Sequence, residues 1–220
     1  MDEKEEKLLS EKAIDFGVEL SRNHLDLFSI YMDELLEWNR RINLIGLSER
    51  ERIISELLLD SLIPTPFIPE RGRMLDVGSG AGFPGIVIKI CLPQLKTTLM
   101  EANSKKTSFL KQVIRLLKLR DVDVVKGRIE MNGNKLRSQG YHIITARALA
   151  SLDQIITWCS PFLFHRGLLI GFLGGRAEKE LKKSNSLMEG NSLVIDKLIP
   201  YSLPGMRSGR TLAILKKVTS

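Results

Sequence analysis

Residues 74–85 read Met-Leu-Asp-Val-Gly-Ser-Gly-Ala-Gly-Phe-Pro-Gly, which places glycines at 78, 80, 82 and 85 directly after a short apolar run. Such a segment leaves few structural options. The apolar run suits a buried strand. The glycines permit a sharp turn and a close backbone approach to a ligand. Pro84 suits the first turn of a following helix, whose unpaired N–H groups would face a polar or anionic group. The pattern therefore predicts strand, ligand-holding loop and helix in that order. A tight turn without a ligand is the plainer alternative, but four glycines within eight residues exceed what a turn requires.

The rest of the chain can be arranged around this unit. Strands are expected at 73–77, 95–101, 121–126, 141–146, 166–173, 192–199 and 210–218, and helices at 84–92, 104–118, 152–164 and 176–188. Alternation of strand and helix implies a mostly parallel sheet covered on both faces. Right-handed crossovers then put the ligand at the carboxyl ends of the strands. Only residues 200–209 separate the last two strands, so these should form a hairpin with one strand antiparallel to the rest. Upstream, helices are expected at 8–21, 25–42 and 49–63. Leu27, Phe28, Tyr31, Leu35, Trp38 and Ile42 form one apolar stripe at helical spacing, and Ser48 with Glu51 makes a candidate capping box. The stretch Pro64-Thr-Pro-Phe-Ile-Pro69 breaks helix. It divides the chain into an N-terminal helical extension, 1–69, and an α/β domain, 70–220.

Composition narrows the function classes. With 220 residues, 43% of them hydrophobic, the chain can bury a substantial core. No apolar run approaches the roughly 20 residues of a membrane span. The opening Met-Asp-Glu-Lys-Glu-Glu lacks the basic-then-apolar order of a secretory signal. Cys91 and Cys159 are far apart and have no histidines at ligand spacing, so no metal site is expected and a cytoplasmic setting is. The net charge of +7 conceals an asymmetry: residues 1–60 carry 8 basic and 15 acidic side chains, the remainder 25 and 11. A positive field over one part of a protein suits a polyanionic partner, RNA or DNA first. A solvated lysine-rich surface is the alternative.

Two cofactors fit the loop. Residues 80–85 match the dinucleotide pattern G-x-G-x-x-G, with Glu101 at the spacing of a ribose-binding acid. Two details favour S-adenosylmethionine instead. Asp76 stands two residues before the first glycine, where it could meet a cationic amine and would repel a pyrophosphate. The closing hairpin also suits the seven-stranded sheet of a Rossmann-like, class I methyltransferase. Glu101, ending the second strand, would then accept both ribose hydroxyls. Gly127-Arg-Ile-Glu130 either holds the adenine or is an ordinary strand-to-helix turn.

Several blocks together resemble one family, the bacterial small-subunit (16S) ribosomal RNA guanine-N7 methyltransferases, also called glucose-inhibited division protein B. These are Trp38-Asn39-Arg-Arg-Ile-Asn43-Leu44, Leu59-Asp60-Ser61, the glycine block Asp76–Gly85, Phe109-Leu-Lys-Gln-Val113 and Ala146-Arg147-Ala148-Leu-Ala-Ser151-Leu152. The resemblance implies cofactor contacts at Gly78, Phe83, Ile129, Glu130 and Arg147, beside Asp76, Gly80 and Glu101 from the loop reading. Two positions depart from the family. Leu57 stands where it often has histidine, and Leu173-Gly174-Gly175 where it often has Leu-Lys-Gly. Arg176 lies two positions on and could compensate. RNA contacts are expected at Lys105, Lys106, Lys111, Arg115, Arg176, Arg207 and Arg210.

The expected activity is methyl transfer to guanine N7 of 16S rRNA, naked or within the small ribosomal subunit, by a monomeric enzyme. Guanine N7 carries an in-plane lone pair and needs no deprotonation, so no catalytic acid or base is expected among the residues. A non-catalytic RNA-binding or ribosome-assembly protein and a small-molecule methyltransferase are the competing readings.

Overall fold

The computed structural model describes residues 1–131, 140–206 and 208–218. Seven strands form one sheet. They are β1 (Gly72–Val77), β2 (Leu95–Glu101), β3 (Val122–Lys126), β4 (Tyr141–Arg147), β5 (Leu163–Leu173), β6 (Leu193–Tyr201) and β7 (Arg210–Lys217). Their order is β3-β2-β1-β4-β5-β7-β6. Strands β1 to β5 pair in parallel, while β7 runs antiparallel to both β5 and β6. The expected hairpin is therefore present, and β7 is its reversed member. Chain direction along the sheet switches between β1 and β4, which places a crevice at their carboxyl ends.

Helices cover both faces: α1 (Glu3–Ile14), α2 (Arg22–Ile42), α3 (Arg50–Ile53), α4 (Leu59–Leu62), α5 (Gly85–Cys91), α6 (Ser104–Leu116), α7 (Leu152–Cys159), α8 (Ala177–Lys183) and α9 (Asn185–Gly190). The first helix begins earlier than its apolar periodicity suggests. Asp2 caps it through the Glu5 N–H in a reciprocal capping box, and Gly17 at φ +75° ends the helical region before residue 21. The expected box at Ser48 and Glu51 does not form. Glu49 is the N-cap, with no side-chain cap bond. The expected helix at 176–188 divides at Ser184 into α8 and α9.

Between α3 and α4 the helix widens into a π turn, Ile54–Leu58. Such turns occur mostly as single local insertions and often at functional positions. Asn39 closes the other end of the extension. Its amide donates to the Leu47 carbonyl (3.1 Å) and its oxygen accepts from Ile45 N–H (2.9 Å), pinning the loop after α2. Asn43 caps that helix in the left-handed region.

The buried cluster on one face of the sheet runs from Leu9 and Phe28 of the N-terminal helices through Leu99 and Phe109 to Ile214. The helical extension and the sheet thus share apolar core. A second cluster, containing Ile144, Ile156 and Leu169, fills the other face. Burial pushes the Cys91 and Cys159 thiols up to about 12, which favours their protonated form.

Candidate active site

The glycine loop is held tightly to the end of β2. Gly78 N–H and Ser79 N–H both donate to the Met100 carbonyl at 2.9 Å. Gly78 sits at φ +72°, and a Cβ there would lie 2.6 Å from Leu149 Cδ1. Only glycine suits both the conformation and the space. Asp76 lies beneath the loop and is 1% exposed. Its two carboxylate oxygens accept from Gly85 N–H (3.2 Å) and Thr145 Oγ1 (2.7 Å). Burial raises its pKa to about 6, against the pull of hydrogen bonds from Thr145, Ser79 and the Gly85 N–H. Phe83 is also buried, packed on Tyr31 with ring centroids 5.4 Å apart. The Tyr31 hydroxyl donates to the Ala81 carbonyl from α2. Asp76 and Phe83 therefore meet the underside of the loop, and neither lines the cleft above it.

That cleft, ≈ 390 Å³, opens at the ends of β1, β2 and β3. Gly78, Gly80, Glu101, Ile129 and Glu130 all line it, as does Lys106. Glu101 accepts from Gly80 N–H (2.9 Å) and from Asn103 N–H (2.7 Å), one bond on each oxygen. A carboxylate fixed in this way keeps further lone pairs for a pair of hydroxyls. Met100, Ile129, Leu149 and Trp158 supply apolar surface. The sequence reading did not single out Met100, Leu149 or Trp158, because each arrives from a different element.

The backbone donors separate the two cofactor classes. A pyrophosphate needs N–H groups from the loop. Here Gly78, Ser79, Gly80, Gly82 and Gly85 all donate to protein oxygens. The cleft instead offers a diol acceptor, an apolar wall and a second carboxylate, Glu130. That donor set fits an adenosyl group carrying a cationic tail better than a dinucleotide. Among the described residues no group of His, Cys, Asp or Glu could hold a metal, and no helix is long and apolar enough to cross a membrane.

Arg147, ending β4, does not face open solvent. Its Nε donates to Asp60 Oδ2 (2.6 Å) and a terminal nitrogen to the Glu56 carbonyl (2.9 Å). Asp60, on α4, is fully buried. It also accepts from Tyr201 Oη (2.6 Å) and pairs with Arg210 (3.1 Å). Burial and the adjacent carboxylate push the Tyr201 phenol upward, so it stays a donor. No local pattern in the chain marks Tyr201. Arg210 and Arg176 meet at a second concavity, ≈ 560 Å³, lined also by Gly174, Gly175 and Lys179. Lys105 lies exposed on the first turn of α6, beside Lys106. Lys111 and Arg115 lie farther along the same helix, and both are exposed. Arg207 is outside the described residues.

The family model described as "GidB: rRNA small subunit methyltransferase G" matches residues 24–207. A "Ribosomal RNA small subunit methyltransferase G" of Acetivibrio thermocellus is 38% identical, covering 99% of this chain and 91% of that protein. The protein of the same name from Chloroflexus aggregans is 35% identical over 97% and 90%. Among solved structures, Aeropyrum pernix fibrillarin with natively bound S-adenosyl-L-methionine superposes with TM-score 0.54 at 15% identity, covering 67% of this chain and 68% of fibrillarin. A precorrin methyltransferase of Geobacter metallireducens gives 0.56 at 14%, over 81% and 92%. These two likenesses concern the fold.

Proposed function

This chain belongs to the GidB family of rRNA small subunit methyltransferases, and we propose that its cleft binds S-adenosylmethionine for methyl transfer to N7 of a guanine in 16S rRNA. The carrying observation is the fixed Glu101 carboxylate beside a loop in which the N–H groups of Gly78, Ser79, Gly80, Gly82 and Gly85 are engaged within the protein. Bound S-adenosylmethionine supplies a methyl group activated by its sulfonium. Glu101 holds the ribose hydroxyls, Ile129 packs on the adenine, and Glu130 lies beside it. Asp76 and Phe83 act from beneath, holding the loop that Gly78 and Gly80 present to the cofactor.

Guanine N7 has its lone pair in the ring plane, so the chain has no proton to remove before attack. Positioning is then the main contribution of the protein. Arg147, at the mouth of the pocket, engages the cofactor or the incoming guanine, and Arg176 and Arg210 serve the acceptor side, where strands β5 and β7 end or begin. Lys105, Lys106, Lys111 and Arg115 meet RNA phosphates along α6. The 1–69 extension is a helical cover that shares core with the 70–220 catalytic domain, and the enzyme works as a cytoplasmic monomer.

Mapping N7-methylated guanines by reverse transcription in ribosomal RNA, from cells with and without this gene, tests the assignment. One guanine of 16S rRNA should lose its methyl group when the gene is absent. An unchanged map, with millimolar S-adenosylmethionine giving no calorimetric binding, would favour a non-catalytic assembly role. Activity on small molecules without salt-sensitive activity on ribosomal subunits would favour a small-molecule enzyme.

A further inference from the structure

The amino ends of the central strands, at the edge of the sheet opposite the cofactor cleft, carry cations that take no part in holding the cofactor. In the β1–β2 pair Arg73 stands in register with Lys96, and both are exposed. Neighbouring strands lie about 4.8 Å apart, so two like charges are held side by side, an arrangement that costs stability in the free protein. Arg71 is exposed two residues before Arg73. These three cations line a concavity of ≈ 500 Å³ with Gly72 and Gln94. Arg73 and Lys96 also line its neighbour, ≈ 190 Å³, which Thr98 and Tyr141 share. Asp121 and Asp123 border that second concavity and offset part of the charge. On the β4–β5 side the surface ends in aromatic rings. Arg73 N–H donates to His142 Nδ1 (3.1 Å), and the His142 ring meets Phe164 edge-on at 4.8 Å. Phe164 is 40% exposed.

We propose that this amino edge is a second RNA-contact surface, holding phosphates of an rRNA segment apart from the acceptor guanine, an inference that rests on the RNA methyltransferase reading above. Anionic phosphates would relieve the like-charge pair, and planar guanidinium groups match phosphate oxygens two at a time. An exposed aromatic ring beside the cations gives a base a face to stack on, which an acidic protein surface would not need. Strand β1 spans six residues, Gly72–Val77. At about 3.3 Å per residue, roughly 20 Å separates this edge from the cofactor cleft. A contact here therefore strengthens the grip on the substrate and leaves the transfer step to the other edge. It also widens the positive field that draws a polyanion in.

The test uses the full chain with purified small ribosomal subunits from cells lacking the gene. Arg71→Gln combined with Lys96→Gln removes two exposed charges and leaves the Arg73 backbone bond in place. At ~0.15 M salt the double variant should raise KM for subunits roughly tenfold, and its slope of log kcat/KM against log salt should be shallower by about 1.4–1.8, two phosphate contacts. Its kcat, and its S-adenosylmethionine affinity in calorimetry, should stay within about twofold of the parent. Its melting temperature should hold or rise, because a like-charge pair is relieved. Binding to protein-free 16S rRNA, read by fluorescence anisotropy, should weaken in parallel. Parental KM and salt slope would overturn the inference, and so would a fall in melting temperature without a change in slope, which would mark the two side chains as structural. A defect confined to whole subunits, with parental binding to protein-free RNA, would replace the RNA segment by a ribosomal protein. A parent enzyme without salt-sensitive activity on subunits would bring down the RNA methyltransferase reading itself, whereas salt-sensitive parental activity with an unaltered double variant removes only the amino-edge surface.

Discussion

Asp76 supports the glycine loop from beneath. Its carboxyl is buried, bonded to Gly85 and Thr145, and has a pKa of about 6, above the ordinary 3.8. Gly85 is required at the start of α5 because a Cβ there would lie 2.6 Å from Asp76 Oδ2 and 2.5 Å from Leu99 Cδ2. The folded protein holds the Asp76 proton to higher pH than the unfolded chain does. The favourable contribution is therefore complete below about pH 4 and is lost as pH rises through about 6. Asp76→Asn cannot titrate. Without cofactor, the stability advantage of the parent over this variant should shrink by ~2–3 kcal/mol between pH 4 and pH 7, from about two pKa units. Urea unfolding at a series of pH values measures it, and a constant gap would show that the carboxyl is not held protonated. The glycines and Asp76 were readable in sequence because they are contiguous. The side of the loop that Asp76 would face was not, because Thr145 reaches it from 69 residues away.

At the scale of elements, α2 braces the cofactor loop. Tyr31 packs at a tilt against Phe83 and stacks on Phe109, and its hydroxyl meets the Ala81 carbonyl. Burial and the nearby Asp76 carboxylate push its phenol well upward, so it donates at any physiological pH. Tyr31→Phe keeps the packing and leaves that carbonyl without its partner, at a cost of about 1–3 kcal/mol. The expected outcome is a melting temperature lower by several degrees and a weaker S-adenosylmethionine affinity in calorimetry, with helical content retained. Unchanged affinity would show that the brace does not reach the loop. The amphipathic stripe of α2 was legible from spacing alone. The element errors have local causes. Ser48 and Glu51 have the right composition for a capping box, yet Glu49 takes the cap position. The α8–α9 break at Ser184 is instead met by a distant partner, Asp153 on α7, which accepts from the Ser184 hydroxyl.

For the whole molecule, charge and topology together divide the work along the sheet. The cofactor cleft lies across β1, β2 and β3, and cationic side chains gather beside it on α6 and across β5 and β7. Phosphate contacts release counterions, so activity on ribosomal subunits should fall steeply with salt. Lys105→Ala with Lys106→Ala should make the slope of log kcat/KM against log salt shallower by roughly 1.4–1.8, two contacts. Steady-state kinetics across a salt series measures it, and an unaltered slope would leave both lysines as solvated surface. The acidic first 60 residues do not contradict an RNA partner. Several of their carboxylates are taken up internally, with Glu5 and Asp33 on Arg50, Glu6 on Arg22, and Asp60 on Arg147 and Arg210.

The sequence by itself determined the alternation of strand and helix, the closing hairpin and the glycine loop, because each is written in short runs of neighbouring residues. Only the tertiary structure decided which way Asp76 and Phe83 face, and that Asp60 gathers Arg147, Tyr201 and Arg210. Tyr201 and Asp60 lie 141 residues apart. No local propensity or spacing encodes such a meeting, since it exists only once the sheet order has brought α4, β4, β6 and β7 to one edge.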